Sequence, residues 1–351
     1  RAIFRLREFN MMECESFFDP KNEKWVREPD NEIKVTFLTN EGKEIKATSK
    51  EVYDNGIVKS QPMAYFFGLA LRFYSKVGID LEKIRYRQHK KEERAHYSSE
   101  TWDAEALTDI GWIEITGNSH RGTFDLTNHI RSSGKDLYAQ RIIPKREEFQ
   151  KVKEIDYKKV KSEYPDISSK IIAAMKEGKT EVTIDDKNIQ LYRFTIEREE
   201  KVVVDRESFV PVVIEPAFGF DRILYAILDH NLSSREDSGY AYLKIPYSIS
   251  PYDAVVLPLM NKDGMDASAG KIFEDLLKSK FSVLYDDSGS IGKRYSRYDE
   301  VGIVYCITID YDTIKNGDVT IRHRDTREQI RIKIEDIPRY LGSDPWNGKA
   351  N

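Results

Sequence analysis

The chain has 351 residues, of which 40% are hydrophobic and 33% are charged, and its formal net charge is −4. This length predicts two or three domains with a large core. The small negative net charge excludes a general polyanion binder, so a nucleic-acid-binding role would require local basic patches. The spacing of the two cysteines, Cys14 and Cys306, matches neither a metal-binding motif nor a disulfide framework. Because the sequence has no long apolar run and no signal peptide, we expect a cytoplasmic protein with no membrane contact.

The first part of the chain predicts strands and one long helix. Apolar and polar residues alternate from Ala2 to Phe18, which is typical of a strand. Because a chain seldom begins inside a strand, we expect a fragment with functional residues upstream. Residues 32–56 predict a hairpin, residues 61–78 predict a helix that ends at Gly78, and residues 111–130 predict a buried strand that leads into a turn.

Residues 145–200 differ in composition and predict an insertion between two core segments. The Lys/Glu-rich part up to residue 180 predicts helix, and the part after it predicts a hairpin or small sheet. Two interpretations of this insertion stay open: a solvent-exposed addition to the fold, and a segment with a specific function. After a boundary near residues 248–251, alternating strands and helices predict a compact α/β domain. We therefore expect a core domain at 1–248 and a second domain at 249–351.

Three groups of residues place charged side chains within otherwise apolar segments. They are Arg5, Arg7, Glu8 and Phe9, followed by Glu13; Glu114, followed by Arg121; and Glu215, Gly219, Asp221 and Arg222. Buried charge is costly unless it is paired or bound. The arginine fork suits phosphate, and carboxylates suit an ammonium group or Mg²⁺. Together the groups predict a pocket for a phosphorylated ligand, a metal and a small cation. For any single Arg/Glu pair a structural ion pair is the simpler explanation, but not for all three segments at once.

Two further features are less specific. His89 and His96 do not have the spacing of a zinc site. The basic run of Arg85, Arg87, Lys90 and Lys91 suits an RNA backbone, but it also suits a solvated helix face. A phosphate-binding P-loop is missing from the sequence, which excludes a Walker-type ATPase.

Six segments follow one another along the chain in this order: FRLREFNMMECESFFDP, RYRQHKKEERAHYSSETWDAE, GWIEITG, DLTNHIRSSGKDL, IEPAFGFDRILYAIL and DDSGSIGKRYSRYDEVGIVYCITIDYDT. Together they resemble the glycyl-tRNA synthetases of the archaeal and eukaryotic type, a class II family. IEPAFGFDRILYAIL resembles motif 3 of that class, and FRLREFNMMECESFFDP resembles the second half of its motif 2. The resemblance implies an α/β (α+β) fold, with an antiparallel-sheet catalytic core and an insertion, followed by a C-terminal α/β mixed-sheet anticodon-binding domain.

The resemblance also implies a reaction and its site. Glycine is activated by ATP, with Mg²⁺, to glycyl-adenylate and is then transferred to the 3′ end of glycine tRNA. The implied catalytic residues are Arg5, Glu114 and Arg222, with Mg²⁺ held by Glu114 through ATP. The implied ATP-binding residues are Phe4, Arg5, Leu6, Phe9, Glu114, Ile115, Gly219 and Arg222, and the glycine-binding residues are Phe9, Glu13, Glu215, Pro216 and Ala217. The tRNA-facing candidates are Lys293, Arg294, Arg297, Arg322, Arg324 and Arg327.

The chain departs from the family pattern at several positions. Ala217 stands where a serine is common, His120 stands where an aspartate is common before Arg121, and Asp221 fits only one branch of the family. Motif 1 and the start of motif 2 are expected before residue 1, so the resemblance implies that this chain alone is an incomplete catalyst and that the longer protein is a homodimer. A non-catalytic, nucleic-acid-binding paralogue and another class II enzyme stay as alternatives.

Overall fold

The computed structural model describes residues 9–94, 98–184 and 187–343. The chain forms two compact units. One unit comprises the described parts of Arg1–His129 and Val212–Asn351, and the other comprises those of Ile130–Pro211. Among the described helices, none is both long and apolar enough to cross a membrane.

The secondary structure elements are numbered in chain order. The strands are β1 Met11–Glu13, β2 Ser16–Phe18, β3 Val35–Leu38, β4 Glu44–Ala47, β5 Ile84–Gln88, β6 Glu100–Thr108, β7 Gly111–Gly122, β8 Ala139–Ile155, β9 Glu181–Ile184, β10 Lys187–Gln190, β11 Thr195–Phe209, β12 Val212–Gly219, β13 Leu232–Ser234, β14 Ala241–Leu243, β15 Ala254–Pro258, β16 Val283–Tyr285, β17 Tyr305–Ile309, β18 Asp318–His323 and β19 Gln329–Lys333. The helices are α1 Ser49–Asp54, α2 Gln61–Lys76, α3 Phe124–Ser133, α4 Tyr157–Glu163, α5 Ser168–Lys176, α6 Phe220–Asn231, α7 Met265–Lys278, α8 Ile291–Val301, α9 Tyr311–Asn316 and α10 Ile337–Ser343.

A largely antiparallel sheet of eight strands organises the first part of the chain. Its strands lie in the order β1–β12–β7–β6–β5–β3–β4, and β2 also pairs with β12. The neighbours pair antiparallel, except that β3 and β5 are parallel. The predicted hairpin at 32–56 is confirmed by β3 and β4, although its last residues form α1.

Helix α2 covers one face of this sheet and confirms the helix predicted at 61–78. The helix begins after Ser60, whose side chain accepts a hydrogen bond from the backbone of Met63, and the chain turns at Gly78 with φ of 82°. Ser60 thus satisfies a backbone donor that the first helical turn leaves open. The buried face of α2 carries Phe67, whose ring stacks on Tyr86 of β5 with centroids 4.3 Å apart. This packing leaves the opposite face of the sheet open for polar side chains.

The unit at Ile130–Pro211 is a long two-stranded ribbon with a small globular tip. The ribbon pairs β8 with β11, so the helix predicted from residue 145 is wrong up to residue 155. Lysine and glutamate favour helices, but helix propensity is a weak preference. Here the pairing of the two strands outweighs it, with cross-strand ion pairs such as that of Lys201 with Glu147 at 2.5 Å. In the tip, α4, α5 and the confirmed hairpin β9–β10 enclose their own core.

The C-terminal part contains a mixed sheet of five strands in the order β16–β15–β17–β18–β19. The pairs of β15 with β16 and β17 are parallel, and the pairs of β18 with β17 and β19 are antiparallel. Helices α7 and α8 follow the strand–helix alternation that the sequence predicts. The predicted fold class, an antiparallel-sheet core followed by a mixed-sheet domain, is confirmed.

Candidate active site

The strands at the sheet end near α6 bring the predicted glycine-binding residues together. Glu13 of β1 lies opposite Ala217 of β12, and Ala217 lies opposite Gly117 of β7. Glu215 lies opposite Ser119 in the same register. Opposed residues of antiparallel strands project to the same side of a sheet, and alternate residues of one strand do so as well. These side chains therefore share the open face of the sheet.

Arg222 and Glu114 form an ion pair at the start of α6. The Nη1 atom of Arg222 lies 3.0 Å from a carboxylate oxygen of Glu114 and donates to its carbonyl oxygen at 3.0 Å. Gly219 is the residue before the helix, and a Cβ there would lie 3.5 Å from the carbonyl oxygen of Ile115, an ordinary contact. Packing within the protein therefore does not require glycine at position 219. The ion pair with Glu114 holds Arg222 beside the open face of the sheet.

Arg121 and Glu215 form a second, more enclosed ion pair. Arg121 lies 2.5 Å from the carboxylate of Glu215 and 2.8 Å from that of Asp125. Only 12% of the Glu215 side chain is exposed. Burial raises the pKa of Glu215, Arg121 opposes that rise, and the nearby carboxylate of Glu13 adds to it. A bound cation at this carboxylate would therefore offset the cost of its burial.

The departure at His120 does not leave Arg121 without acidic neighbours. His120 contacts Glu23 at 3.0 Å through Nε2 and the Ser99 hydroxyl at 2.8 Å through Nδ1. Arg121 is paired instead with Asp125 and Glu215. The acidic contacts of Arg121 thus come from Asp125 and Glu215 and not from position 120.

Gly117 marks a small space bordered by two carboxylates. A Cβ at Gly117 would lie 3.6 Å from Glu114 Oε1 and 4.0 Å from Asp103 Oδ1. Asp103 is buried and is held by His89 Nε2 at 2.6 Å and by Arg87 at 3.0 Å. The hydrogen bond to Asp103 raises the pKa of His89. The sequence interpretation missed Asp103, although Asp103 and Glu105, two positions apart in an otherwise apolar stretch, were a signal for it.

The two arginines of the basic run before Asp103 are part of this sheet and not of a helix. Arg85 and Arg87 lie on β5, and both pair with Glu105, at 2.7 and 2.9 Å. The alternative of a solvated helix face is therefore wrong for these two residues. His96 lies outside the described residues, and in the described ranges no group of three or more His, Cys, Asp or Glu side chains could hold a metal ion.

Other predicted residues are placed less centrally. Phe4, Arg5 and Leu6 lie outside the described residues. Phe9 is described and is 62% exposed. Ile115 and Pro216 are buried. A ligand on the open face of the sheet could therefore contact only the backbone of these two residues. The assignment of Ile115 to the ATP site and of Pro216 to the glycine site stays a prediction.

Three of the six tRNA-facing candidates lie inside the C-terminal domain. Arg294 is 1% exposed and donates to the carbonyl oxygen of Pro258 at 2.7 Å. Arg322 makes two bonds to Asp299, at 2.8 and 2.9 Å, and Arg324 donates to main-chain carbonyls. Buried guanidinium groups need such partners, and they are not accessible to RNA. The prediction of tRNA contact is corrected for Arg294, Arg322 and Arg324.

The other three candidates are exposed. Lys293 and Arg297 lie on α8, and Arg297 pairs with Asp286 at 2.5 Å. Arg327 is paired with Asp237 at 2.7 Å. The exposed cations of α8 therefore stay available to an anionic partner.

Comparison with known proteins relates this architecture to one family. Residues 253–343 match the anticodon binding domain family. The chain is 37% identical to a glycine–tRNA ligase of Pyrococcus horikoshii, 38% identical to one of Thermococcus sibiricus and 36% identical to one of Methanocaldococcus jannaschii. Each match covers 97% of this chain but only 63–64% of the relative's length. The chain is therefore similar to these glycine–tRNA ligases over nearly all of its own length, and it spans less than two thirds of theirs.

Proposed function

We propose that this chain supplies most of the active site of an ATP-dependent glycine–tRNA ligase. Residues 1–248 would form the catalytic core, interrupted by the insertion at about 145–200, and residues 249–351 would bind the anticodon of glycine tRNA. The observation that carries the proposal is the pairing of Arg222 with Glu114 and of Arg121 with Glu215 at one end of the sheet. Two ion pairs there suit a ligand with a cationic end and an anionic end.

The cationic end of the ligand would be the ammonium group of glycine. Glu215 is a mostly buried carboxylate whose pKa is raised by that burial, so an ammonium group there gains a charge partner. Ala217 and Gly117 lie opposite each other and leave little side-chain bulk between Glu13 and Glu114. A larger amino acid would bring its side chain against the carboxylates of Glu114 and Asp103 that border Gly117. Steric discrimination against one extra methylene group is typically about 1–3 kcal/mol.

The anionic end would be the triphosphate of ATP. Arg222 lies on the first turn of α6, where its guanidinium is backed by Glu114, and an arginine fork suits phosphate oxygens. Glu114 and Asp103 both place a carboxylate oxygen near Gly117. This donor set fits Mg²⁺, which usually takes one or two carboxylates together with phosphate oxygens. Bound there, the ion would neutralise phosphate charge.

The chemistry of this site depends mainly on positioning. The carboxylate of glycine would attack the α-phosphate of ATP, which forms glycyl-adenylate and releases pyrophosphate. A carboxylate is already ionised near neutral pH, so the attack needs no general base. The residues contribute alignment of the two substrates and compensation of negative charge. The glycyl group would then pass from the adenylate to the 3′ end of the tRNA, with release of AMP. The homodimer implied by the resemblance stays a prediction for the longer protein.

A non-catalytic nucleic-acid-binding paralogue would have no use for this pocket. Such a paralogue has no reason to retain Arg222 with its partner Glu114, or Glu215 with its partner Arg121. Both pairs are intact here, which favours the ligase.

Glycine-dependent exchange between ATP and pyrophosphate tests the proposal. We expect exchange with glycine, but not with alanine or serine, from a form extended upstream to the length of the relatives (the extended form). This chain should be assayed in parallel, and we expect little exchange from it. Absence of exchange from the extended form, with binding of glycine tRNA retained, would favour the non-catalytic paralogue instead.

A further inference from the structure

A hairpin directly after α6 leads from the candidate active site to the C-terminal domain. Helix α6 ends at Asn231, and β13 begins at Leu232 without a connecting residue. The strands β13 and β14 pair antiparallel, with Leu232 opposite Leu243. The turn between them begins with Arg235, whose backbone N–H donates a hydrogen bond to the carbonyl oxygen of Tyr240 at 2.9 Å. β13 therefore connects this turn directly to the end of α6.

The Arg235 side chain leaves the hairpin and enters the C-terminal domain. Only 10% of it is exposed. Its Nη2 atom lies 3.0 Å from Asp299 of α8, and its Nη1 atom donates to the carbonyl oxygen of Asp325 at 2.9 Å. The guanidinium carbon lies 3.7 Å from the centroid of the Tyr242 ring. A charged side chain that is so enclosed is held in one orientation by its partners.

Asp299 links Arg235 to the interior of the C-terminal domain. Its carboxylate accepts two further bonds from Arg322, at 2.8 and 2.9 Å. Beside it, Arg324 donates to the carbonyl oxygens of Gly302 and Ile245, each at 2.8 Å. Two arginines that the sequence predicted to face tRNA thus build the contact between the hairpin and the domain.

The same helix that carries Asp299 also presents cations to the solvent. Lys293 and Arg297 are exposed on α8, and they are among the proposed tRNA contacts. At the other end of the path, Arg222 lies on α6 beside Glu114. Packed elements and ion pairs therefore run without a gap from the proposed RNA surface through Asp299, Arg235 and β13 to α6.

We propose that Arg235 is a positioning residue that couples tRNA bound on the C-terminal domain to the active-site helix α6. This inference rests on the proposed ligase function. Arg235 touches neither the reacting atoms nor the exposed cations, so it would act through α6 and α8. Its removal should impair the tRNA-dependent transfer step and spare the formation of glycyl-adenylate, which needs no tRNA.

Arg235→Met is the informative variant. Methionine can keep contact with Tyr242, and Asp299 keeps both of its bonds to Arg322, so the domain should still fold. Arg235→Lys keeps the charge but loses the fork. Glu236→Gln is a matched control, because it removes an exposed charge from the same turn and leaves the tRNA-facing candidate Arg327 paired with Asp237.

The test compares two reactions of the extended form. For Arg235→Met we expect glycine-dependent exchange within about 2-fold of the unsubstituted protein, and a kcat for tRNA glycylation lower by about 5- to 100-fold, the usual range of coupling between two sites. The KM for tRNA should change little. Arg235→Lys should restore part of the lost kcat, and Glu236→Gln should resemble the unsubstituted protein.

Two results would overturn the coupling. One is an unchanged ratio of glycylation to exchange in Arg235→Met. The other is a parallel loss of both reactions with a lower melting temperature, which would make Arg235 a purely structural residue. An unsubstituted extended form that shows no glycine-dependent exchange would overturn the proposed function itself, and the coupling with it.

Discussion

Replacing Arg222 with leucine is expected to lower kcat/KM for glycine-dependent ATP–pyrophosphate exchange by about 100- to 1,000-fold, the usual cost of removing one charge-stabilising group from an active site. Arg222 is held by Glu114 at 3.0 Å at the start of α6. A leucine would leave the phosphates without this cation and would also leave the Glu114 carboxylate without its arginine. The measurement is the initial rate of exchange in the extended form.

Two comparisons make the Arg222 result specific. Arg198→Leu removes an arginine whose side chain is 68% exposed in the insertion, and exchange should be unchanged. Arg222→Lys keeps the charge but not the planar fork, so an intermediate rate is expected. A loss of less than about 3-fold in Arg222→Leu would contradict the role given to this residue, because a charge-stabilising group is worth far more than that.

The second large effect concerns stability, and we expect Gly68→Ala to destabilise the folded protein by about 1–3 kcal/mol. Gly68 lies inside α2, where a Cβ would come to 2.4 Å from the Cβ of Asp30 and 3.0 Å from the hydroxyl of Ser49. Asp30 cannot easily move, because its carboxylate accepts backbone hydrogen bonds from Glu32 and Ile33 at 2.8 and 2.9 Å. Urea unfolding of the two proteins measures the difference.

The chain offers a matched control for this substitution. Gly270 lies inside α7, and a Cβ there would have no heavy atom within 4 Å. Gly270→Ala should therefore stabilise the protein by up to about 1 kcal/mol, through helix propensity alone. If both substitutions shifted the unfolding midpoint upward, the close approach of Asp30 to α2 would be refuted.

Local patterns in the sequence were sufficient for most elements, and the failures have a common cause. Helices α2, α7 and α8 and the strands of the C-terminal sheet follow from periodicity and from glycines at their ends. The stretch 145–155 was predicted as helix because its strand partner, β11, lies some forty to sixty residues away in the sequence. Pairing at that distance cannot be read from local composition.

The same limit applies to the site and to the arginines. The sequence predicted that Glu114, Glu215 and Arg222 belong to one pocket, but not which carboxylate pairs with which arginine, because pairing depends on strand register. Arg322 and Arg324 looked like surface cations, since a sequence does not show that Asp299 or a buried carbonyl lies beside them. Asp103 was missed because its partners, His89 and Arg87, come from the neighbouring strand or its end.

The most direct test of the account is a crystal structure of the extended form with a non-hydrolysable analogue of glycyl-adenylate. We predict that the ammonium group of the analogue lies within hydrogen-bonding distance of the Glu215 carboxylate, above Gly117 and Ala217. The adenylate should contact the guanidinium of Arg222. An analogue bound away from this face of the sheet, or an ammonium group that contacts neither Glu215 nor Glu13, would contradict the proposed site.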